Sequence, residues 1–153
     1  WRIGVPARYF LSLVMWITLG IPLFANEGIS FNNAIIRQPL GSQDFTAAYV
    51  NITNHRNTQL NISGADAPWT GKIEFHETVI THDRTSMRPL LQLVVVPKAT
   101  LHMDPGNIHI MLFRLKLNSM SNPTITFVTA DGESLPVSFE IKSIETVSAH
   151  ETH

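Results

Sequence analysis

The feature that most restricts the fold of this sequence is a succession of short apolar segments separated by turn residues. The segments have the length of β-strands, are rich in Val, Ile, Leu and Phe, and are bounded by Gly, Pro, Asn or Asp. Seven of them follow one another, at residues 44–53, 59–63, 72–80, 90–96, 108–115, 124–130 and 135–141. From Ile29 onward, no stretch has a helical period long enough to predict a helix. Seven strands at this spacing indicate an all-β antiparallel sandwich or barrel.

Turn signals and side-chain patterns refine this prediction. In Asp104–Asn107, Pro presets the first central position of a turn and Gly accepts a positive φ at the second. Asp131–Gly132 predicts the hairpin between the last two strands. The nearly continuous apolar run at 90–96 predicts a central strand buried on both faces. In residues 72–77 the alternation places Ile73 and Phe75 on one face, and Glu74 and His76 on the other.

Composition limits the classes of function. The length suits one domain with a hydrophobic core. With 11 basic and 12 acidic residues the net charge is -1, so we expect no attraction to nucleic acid or to an anionic membrane. The chain contains no cysteine, which rules out a disulfide framework, a blue-copper electron carrier and a thiol-disulfide exchanger for these residues.

The two ends of the chain differ from its centre. Residues 1–25 combine a positive start with an apolar run that Gly20 and Pro22 interrupt, which is typical of an export signal cleaved after Ala25. An uncleaved membrane anchor is the alternative, but the run is shorter than the roughly 20 residues that a spanning helix needs. We therefore predict a signal segment at 1–25, a β-sandwich domain at 26–143, and a polar mobile tail at 144–153.

Four potential metal ligands stand at fixed separations within the predicted domain. They are His76, Met87, His109 and Met111, in the spacing His-x10-Met-x21-His-x-Met. Taken singly, a methionine is most often a core residue and a histidine a hydrogen-bonded surface residue. In Asn107–Met111, however, polar and apolar residues alternate, which predicts that His109 and Met111 share one face of a strand. The joint spacing therefore favours a metal site over the structural interpretation.

The chemistry of these donors selects the ion. Thioether sulfur binds Zn²⁺, Mg²⁺ and Ca²⁺ poorly, whereas Cu(I) prefers soft sulfur and accepts imidazole. Two Met and two His therefore favour one Cu(I) per chain. Because all four ligands are neutral, the site could release its ion to a softer or more anionic receiver.

Other candidate ligands are weaker. His102 and Met103 precede the Asp104–Asn107 turn, where Met103 is more readily explained by packing against a sheet. His82 and Asp83 are expected to be solvated in a polar loop between His76 and Met87, and His55 belongs to a turn. In the tail, the His-x-x-His spacing of two further histidines could hold Cu(II) weakly; these are His150 and His153.

The spacing of the four ligands resembles that of the PCuAC family of periplasmic copper(I) chaperones. Three sequence segments around the ligands also resemble that family: His76–Thr78, Met87–Arg88 and Pro105–Met111. The resemblance covers about Ile29 to Ile141 and implies a cupredoxin-like Greek-key β-sandwich that binds Cu(I) in the bacterial periplasm as a monomer. It also implies a copper-receiving partner, either cytochrome c oxidase subunit II, for assembly of its CuA centre, or another assembly chaperone. General copper buffering or resistance is the alternative.

Two other classes of protein fit the sequence less well. An enzyme is disfavoured because the sequence has no Gly-x-Ser-x-Gly elbow, no phosphate loop and no His-Glu-x-x-His motif. A structural sandwich without metal explains the strands but leaves the His/Met spacing to chance. We therefore expect a non-enzymatic carrier that does not insert stably into a membrane once the signal is cleaved.

Overall fold

The computed structural model describes Gly4 and residues 28–118 and 121–143. Over these residues the chain forms strands and no helix, so the all-β prediction is confirmed. The strands are β1 (Ile29–Arg37), β2 (Phe45–Asn54), β3 (Leu60–Asp66), β4 (Thr70–Thr81), β5 (Arg84–Leu90), β6 (Leu93–Val95), β7 (Thr100–Leu101), β8 (Ile108–Leu115), β9 (Thr124–Thr129), β10 (Ser134–Ser138) and β11 (Glu140–Lys142).

The ends of the chain fall largely outside the described residues. The predicted signal segment, apart from Gly4, and the predicted tail with His150 and His153 are among those not described. The division of the chain into these segments therefore stays a prediction. Across the described residues, no helix has the length and apolar character needed to cross a membrane.

The strands form two sheets. The first has the order β11-β1-β2-β8-β4-β5, with the short β7 beside β2, and the second has the order β10-β9-β3-β6. All paired strands are antiparallel except β1 and β11, which run parallel. Strands β8 and β4 are neighbours inside the first sheet, so side chains on both of them can meet on one surface.

The inner faces of both sheets contribute to one hydrophobic core. Phe127 of β9 lies at its centre and is fully buried. Its ring centroid is 5.6 Å from that of Phe31 in β1, 6.5 Å from that of Phe75 in β4 and 6.4 Å from that of Phe139. The alternation predicted for residues 72–77 is confirmed, because Phe75 points into this core while His76 points away from it.

The prediction of a central strand at 90–96 is wrong. Leu90 is the last residue of β5, and Leu93–Val95 form a separate short strand, β6. Among the described residues, β6 lies at the edge of the second sheet and pairs with β3 alone. Leu93 and Val95 are buried, but Val94 between them is 40% exposed. An edge strand that covers one face of the core needs apolar residues only at alternate positions, so Leu91, Val94 and Val96 are exposed.

The segment predicted as one strand at 135–141 is two strands that belong to different sheets. Strand β10 pairs with β9, and β11 pairs with β1. The chain passes from one sheet to the other at Phe139, whose ring is buried in the core and whose amide donates a hydrogen bond to Pro123 O at 2.9 Å. Strands β1, β5 and β7 had no counterpart among the seven predicted segments.

Both predicted turns are present, but the Asp104–Asn107 turn differs from the prediction in its backbone conformation at Gly106. Gly132 has φ 88° in the connection between β9 and β10, as its hairpin role requires. The Asp104–Asn107 turn is closed by the Asn107 amide, which donates to Asp104 O at 3.1 Å. The expected positive φ of Gly106 is wrong, since the described glycines with positive φ are Gly28, Gly41 and Gly132. Instead, Gly106 N donates to Asp104 Oδ1 at 3.1 Å, an Asx turn.

Candidate metal centre

The four predicted ligands lie on one face of the first sheet. His76 in β4 is directly opposite His109 in β8, and Glu74 is opposite Met111. Met87 in β5 is directly opposite Thr78 in β4. Directly opposed residues of antiparallel strands share a face, as do residues two apart on one strand. The structure therefore brings His76, Met87, His109 and Met111 together on the face that points away from the core.

The position of Met87 depends on a hairpin that the sequence did not reveal. The residues before it were predicted to be a polar loop, but β4 and β5 pair along Phe75–Thr81 and Arg84–Leu90. The connection is only His82 and Asp83, with φ values of 43° and 68°. Positive φ at both central residues is the geometry of a type I′ hairpin turn, usually formed by Asn-Gly or Asp-Gly. His-Asp lacks that signature, so the hairpin was missed.

The four side chains differ in exposure. His109 is 3% exposed and His76 and Met111 are partly buried, whereas Met87 is 60% exposed. The histidine pair therefore lies at the bottom of the site, and Met87 lies at its open edge. Met87, His109 and Met111 also line a groove of about 230 Å³ together with Leu40, Phe45 and Tyr49.

The orientation of His109 is fixed by the turn that precedes it. The Nδ1 atom of His109 lies 3.1 Å from Asn107 O. Because a carbonyl oxygen can only accept, Nδ1 carries the proton and Nε2 of the neutral ring has the lone pair. The same carbonyl accepts a hydrogen bond from Thr78 N at 3.1 Å, which ties the turn to β4. Among the described residues, Nε2 of His109 is buried and has no hydrogen-bond partner.

His76 is held through its other ring nitrogen, Nε2, whereas His109 is held through Nδ1. Its Nε2 atom lies 2.8 Å from Glu74 Oε2, and Lys72 Nζ forms an ion pair with Glu74 Oε1. These contacts lower the pKa of Glu74, first through the hydrogen bond from Lys72 and then through that from His76. An ionised carboxylate only accepts, so Nε2 of His76 carries the proton. The remaining nitrogen, Nδ1, is buried and finds no hydrogen-bond partner in the described part of the chain.

This arrangement fits a metal ion. The ring centroids of His76 and His109 are 5.8 Å apart with their planes at 67°. This separation is short enough for both rings to bind one ion at metal–nitrogen distances of about 2.0–2.1 Å. Each ring contributes one buried nitrogen that has no hydrogen-bond partner among the described residues, and a buried polar atom without a partner is unfavourable. A bound cation would satisfy both nitrogens at once.

The burial of His109 affects its charge. Desolvation lowers the pKa of His109, opposed by its hydrogen bond to Asn107 O and reinforced by His76. In the folded protein this ring therefore stays neutral to lower pH than in the unfolded chain. A neutral imidazole is the form that a metal binds.

We expect the shift to appear in the stability of the metal-free protein. Because the folded pKa of His109 is depressed, its contribution is present above the unfolded value of about 6.5 and is lost as pH falls through the folded pKa. Urea unfolding between pH 8 and pH 5 should show the free energy of unfolding decreasing below about pH 6.5. His109→Gln should flatten that decrease, whereas His82→Gln, in the exposed hairpin turn, should not. Equal slopes in parent and His109→Gln would contradict the shift.

The weaker candidates lie elsewhere. Met103 is 6% exposed and belongs to the hydrophobic core, and His102 is exposed. His82 and Asp83 are exposed in the hairpin turn, as expected for solvated residues. His55 follows β2 and its ring contacts Ser30 Oγ at 3.0 Å. The participants that the sequence did not indicate are Glu74 and the Asn107 carbonyl, whose roles depend on hydrogen bonds.

A family model matches residues 29–141, with the description "Putative lipoprotein LpqE-like". The chain belongs to the LpqE-like family. It is 27% identical over 119 residues to "Putative lipoprotein Lxx21020" of Leifsonia xyli subsp. xyli (strain CTCB07), covering 76% of this chain and 70% of that protein. This assignment covers both sheets and the candidate site.

Solved structures share the fold. The copper-bound PCuAC domain from PmoF2 is 14% identical and superimposes with a TM-score of 0.64, over 76% of this chain and 93% of that domain. The Cu(I) form of DR1885 from Deinococcus radiodurans is 26% identical with a TM-score of 0.54, over 72% of this chain and 75% of that protein. The resemblance to the PCuAC family and its cupredoxin-like sandwich are therefore confirmed. The chain is a member of a non-enzymatic family.

Proposed function

We propose that this protein is a copper chaperone that binds one Cu(I) through His76, Met87, His109 and Met111 and transfers it to a receiving protein. The observation that carries the proposal is the facing pair of histidines. Each presents one buried nitrogen, without a hydrogen-bond partner in the part of the chain that the structure describes, on the sheet face that also holds both methionines. The similarity to DR1885, whose solved form is named as carrying Cu(I), supports the same ion here.

The donor set suits a carrier. Two thioethers and two imidazoles match the preference of Cu(I) for soft and borderline ligands, and disfavour Mg²⁺ and Ca²⁺. None of the four donors is anionic, so the positive charge of the ion is not neutralised by its ligands. A receiver with thiolate ligands would bind the same ion more strongly, which favours transfer in that direction.

We further propose that the protein is exported and acts in the periplasm. The support is the signal-like pattern of residues 1–25 and the lipoprotein names of the family and of the relative from Leifsonia xyli. Residues 1–153 contain no cysteine, so they offer no thiol to which a lipid could be attached. The receiver proposed is cytochrome c oxidase subunit II or another assembly chaperone, with copper buffering as the alternative. Weak Cu(II) binding by His150 and His153, and a monomeric state, also stay predictions.

The proposal is tested by anaerobic titration of the purified protein with Cu(I) against a chelator of known affinity. We expect one equivalent of Cu(I) to be removed from the chelator, and no comparable uptake of Zn²⁺. Failure to compete for Cu(I), with the protein folded, would overturn the proposed function.

Met87 is expected to control the rate of copper exchange. It is the exposed ligand and lies on β5, which is an edge strand that pairs only with β4 within residues 28–118 and 121–143. Strand β8 pairs with β4 only as far as Glu77, so no third strand of the described residues lies beside the end of the hairpin. Such segments open more readily than the interior of a sheet. An incoming ligand can therefore displace Met87 before it displaces the buried His109.

The test compares Met87→Ala with Met111→Ala. In stopped-flow transfer of Cu(I) to an excess of chelator, Met87→Ala should speed the concentration-dependent step, because the incoming ligand finds an open coordination position. Met111→Ala should lower affinity with less effect on that step, since Met111 is in a central strand. Equal acceleration by both variants would contradict entry at the Met87 edge.

A further inference from the structure

The geometry points to Glu74 as a positioning residue of the metal centre: we propose that its carboxylate holds His76 with Nδ1 facing the ion. This inference rests on the proposed function, because it concerns the same site. Glu74 is not one of the four ligands predicted from the spacing.

The positions of the atoms fix the role of the carboxylate. Glu74 is two residues before His76 on β4, so both side chains are on the ligand face. Its Oε2 atom accepts the Nε2 proton of His76 at 2.8 Å. Of the two ring nitrogens, this leaves Nδ1 with the lone pair. Metal-binding histidines commonly donate their other ring N–H to a carboxylate or carbonyl, which fixes the ring and makes it a better donor.

The carboxylate is itself held in place. Lys72, two residues earlier on the same face, forms an ion pair with Oε1 of Glu74 and leaves Oε2 for the histidine. The ammonium group of Lys72 also lies 5.7 Å from the centre of the Phe113 ring. Lys72, Glu74 and His76 therefore form a chain along one edge of the site, with its far end stabilised over an aromatic face.

The two histidines are positioned by chemically different acceptors. His109 donates to a neutral backbone carbonyl, Asn107 O, whereas His76 donates to an ionised carboxylate. Within the described residues, Glu74 is the acidic side chain that is hydrogen-bonded to a proposed ligand. Because Lys72 also pairs with this carboxylate, the role of Glu74 at the metal centre is to hold and polarise the His76 ring and not to neutralise the ion.

Glu77 offers a matched control. It is on the same strand and its side chain is 31% exposed, close to the 30% of Glu74. Unlike Glu74, it points to the other face of the sheet and pairs with Arg88. A general effect of removing a negative charge from β4 should appear in both variants, whereas an effect on the metal centre should appear only at Glu74.

We expect Glu74→Leu to lower Cu(I) affinity about 10–100-fold, the usual effect of losing a group that orients a metal ligand. Glu74→Gln keeps an oxygen that can accept the Nε2 proton but has no charge, so its loss should be smaller. Glu77→Gln should bind Cu(I) like the parent. The affinities are measured by anaerobic competition with a chelator, on proteins shown by circular dichroism to be folded.

A second readout uses the protein without copper. Nitrogen-15 NMR at about pH 8, above the ordinary histidine pKa, reports which ring nitrogen of His76 carries the proton. The parent and Glu74→Gln should show mainly the Nε2–H form, and Glu74→Leu should show a mixture of both forms. Parental affinity in Glu74→Leu, or an unchanged proton position in it, would overturn the assignment. If the parent itself bound no Cu(I), the proposed function would be wrong. The NMR measurement would still test whether Glu74 determines which ring nitrogen of His76 carries the proton.

Discussion

Replacing His109 by alanine is expected to lower the affinity for Cu(I) by more than the roughly 10–100-fold that loss of a group behind a ligand causes. His109 is the most buried of the four proposed ligands, and its Nε2 atom has no other partner among the described residues. Removing the ring leaves three donors, only one of which is nitrogen. The affinity is measured by anaerobic competition with a chelator.

The fold should tolerate this substitution better than the site does. The Asn107 carbonyl, which accepts from His109, also accepts from Thr78 N and so keeps a hydrogen bond in the variant. His82→Ala is the control, because His82 is an exposed residue of the hairpin turn. Parental Cu(I) affinity in folded His109→Ala would show that this histidine is not a ligand. Unfolding of His109→Ala in the absence of copper would show instead that it has a structural role.

Replacing Phe127 by alanine should have the largest effect on stability. The ring is fully buried and contacts the rings of Phe31, Phe75 and Phe139. Truncating a buried phenylalanine typically lowers the free energy of unfolding by about 3–5 kcal/mol, from lost burial and from the cavity left behind. The whole stability of a domain is usually about 5–15 kcal/mol, so the variant should unfold at a much lower urea concentration.

Phe45→Ala is the matched substitution outside the core, since Phe45 is exposed at the groove. Its free energy of unfolding should change far less than that of Phe127→Ala. Comparable losses in the two variants would mean that Phe127 does not hold the two sheets together. The comparison uses urea unfolding of both variants without copper, so that metal binding does not contribute to the measured stability.

The sequence predicted the part of the site that depends on strand periodicity. The predicted strand 108–115 coincides with β8, and alternation correctly placed His109 and Met111 on one face. Alternation likewise placed Glu74 and His76 opposite to Phe75. These predictions succeed because side chains of a strand alternate between faces whatever the neighbouring strands are.

The pairing between strands could not be predicted from the pattern of residues within single segments. The facing positions of His76 and His109 follow from the register of β4 and β8, which no single segment determines. Strand β5 was missed because Arg84–Leu90 is exposed throughout most of its length and has no apolar alternation. The apolar run at 90–96 was misassigned because hydrophobicity alone does not tell an edge strand from a central one. The role of Glu74 in the site could not be predicted, because it depends on the hydrogen bond between its carboxylate and His76.

The central claim is that sulfur and imidazole together hold the ion, and X-ray absorption at the copper edge tests it most directly. The sample is the protein loaded anaerobically with one equivalent of Cu(I), beside the variant in which Met87 and Met111 are both leucine. We predict Cu(I) with both sulfur and nitrogen neighbours in the parent, and loss of the sulfur neighbours in the variant. A stoichiometric copper in the parent with only nitrogen and oxygen neighbours would contradict the proposed site.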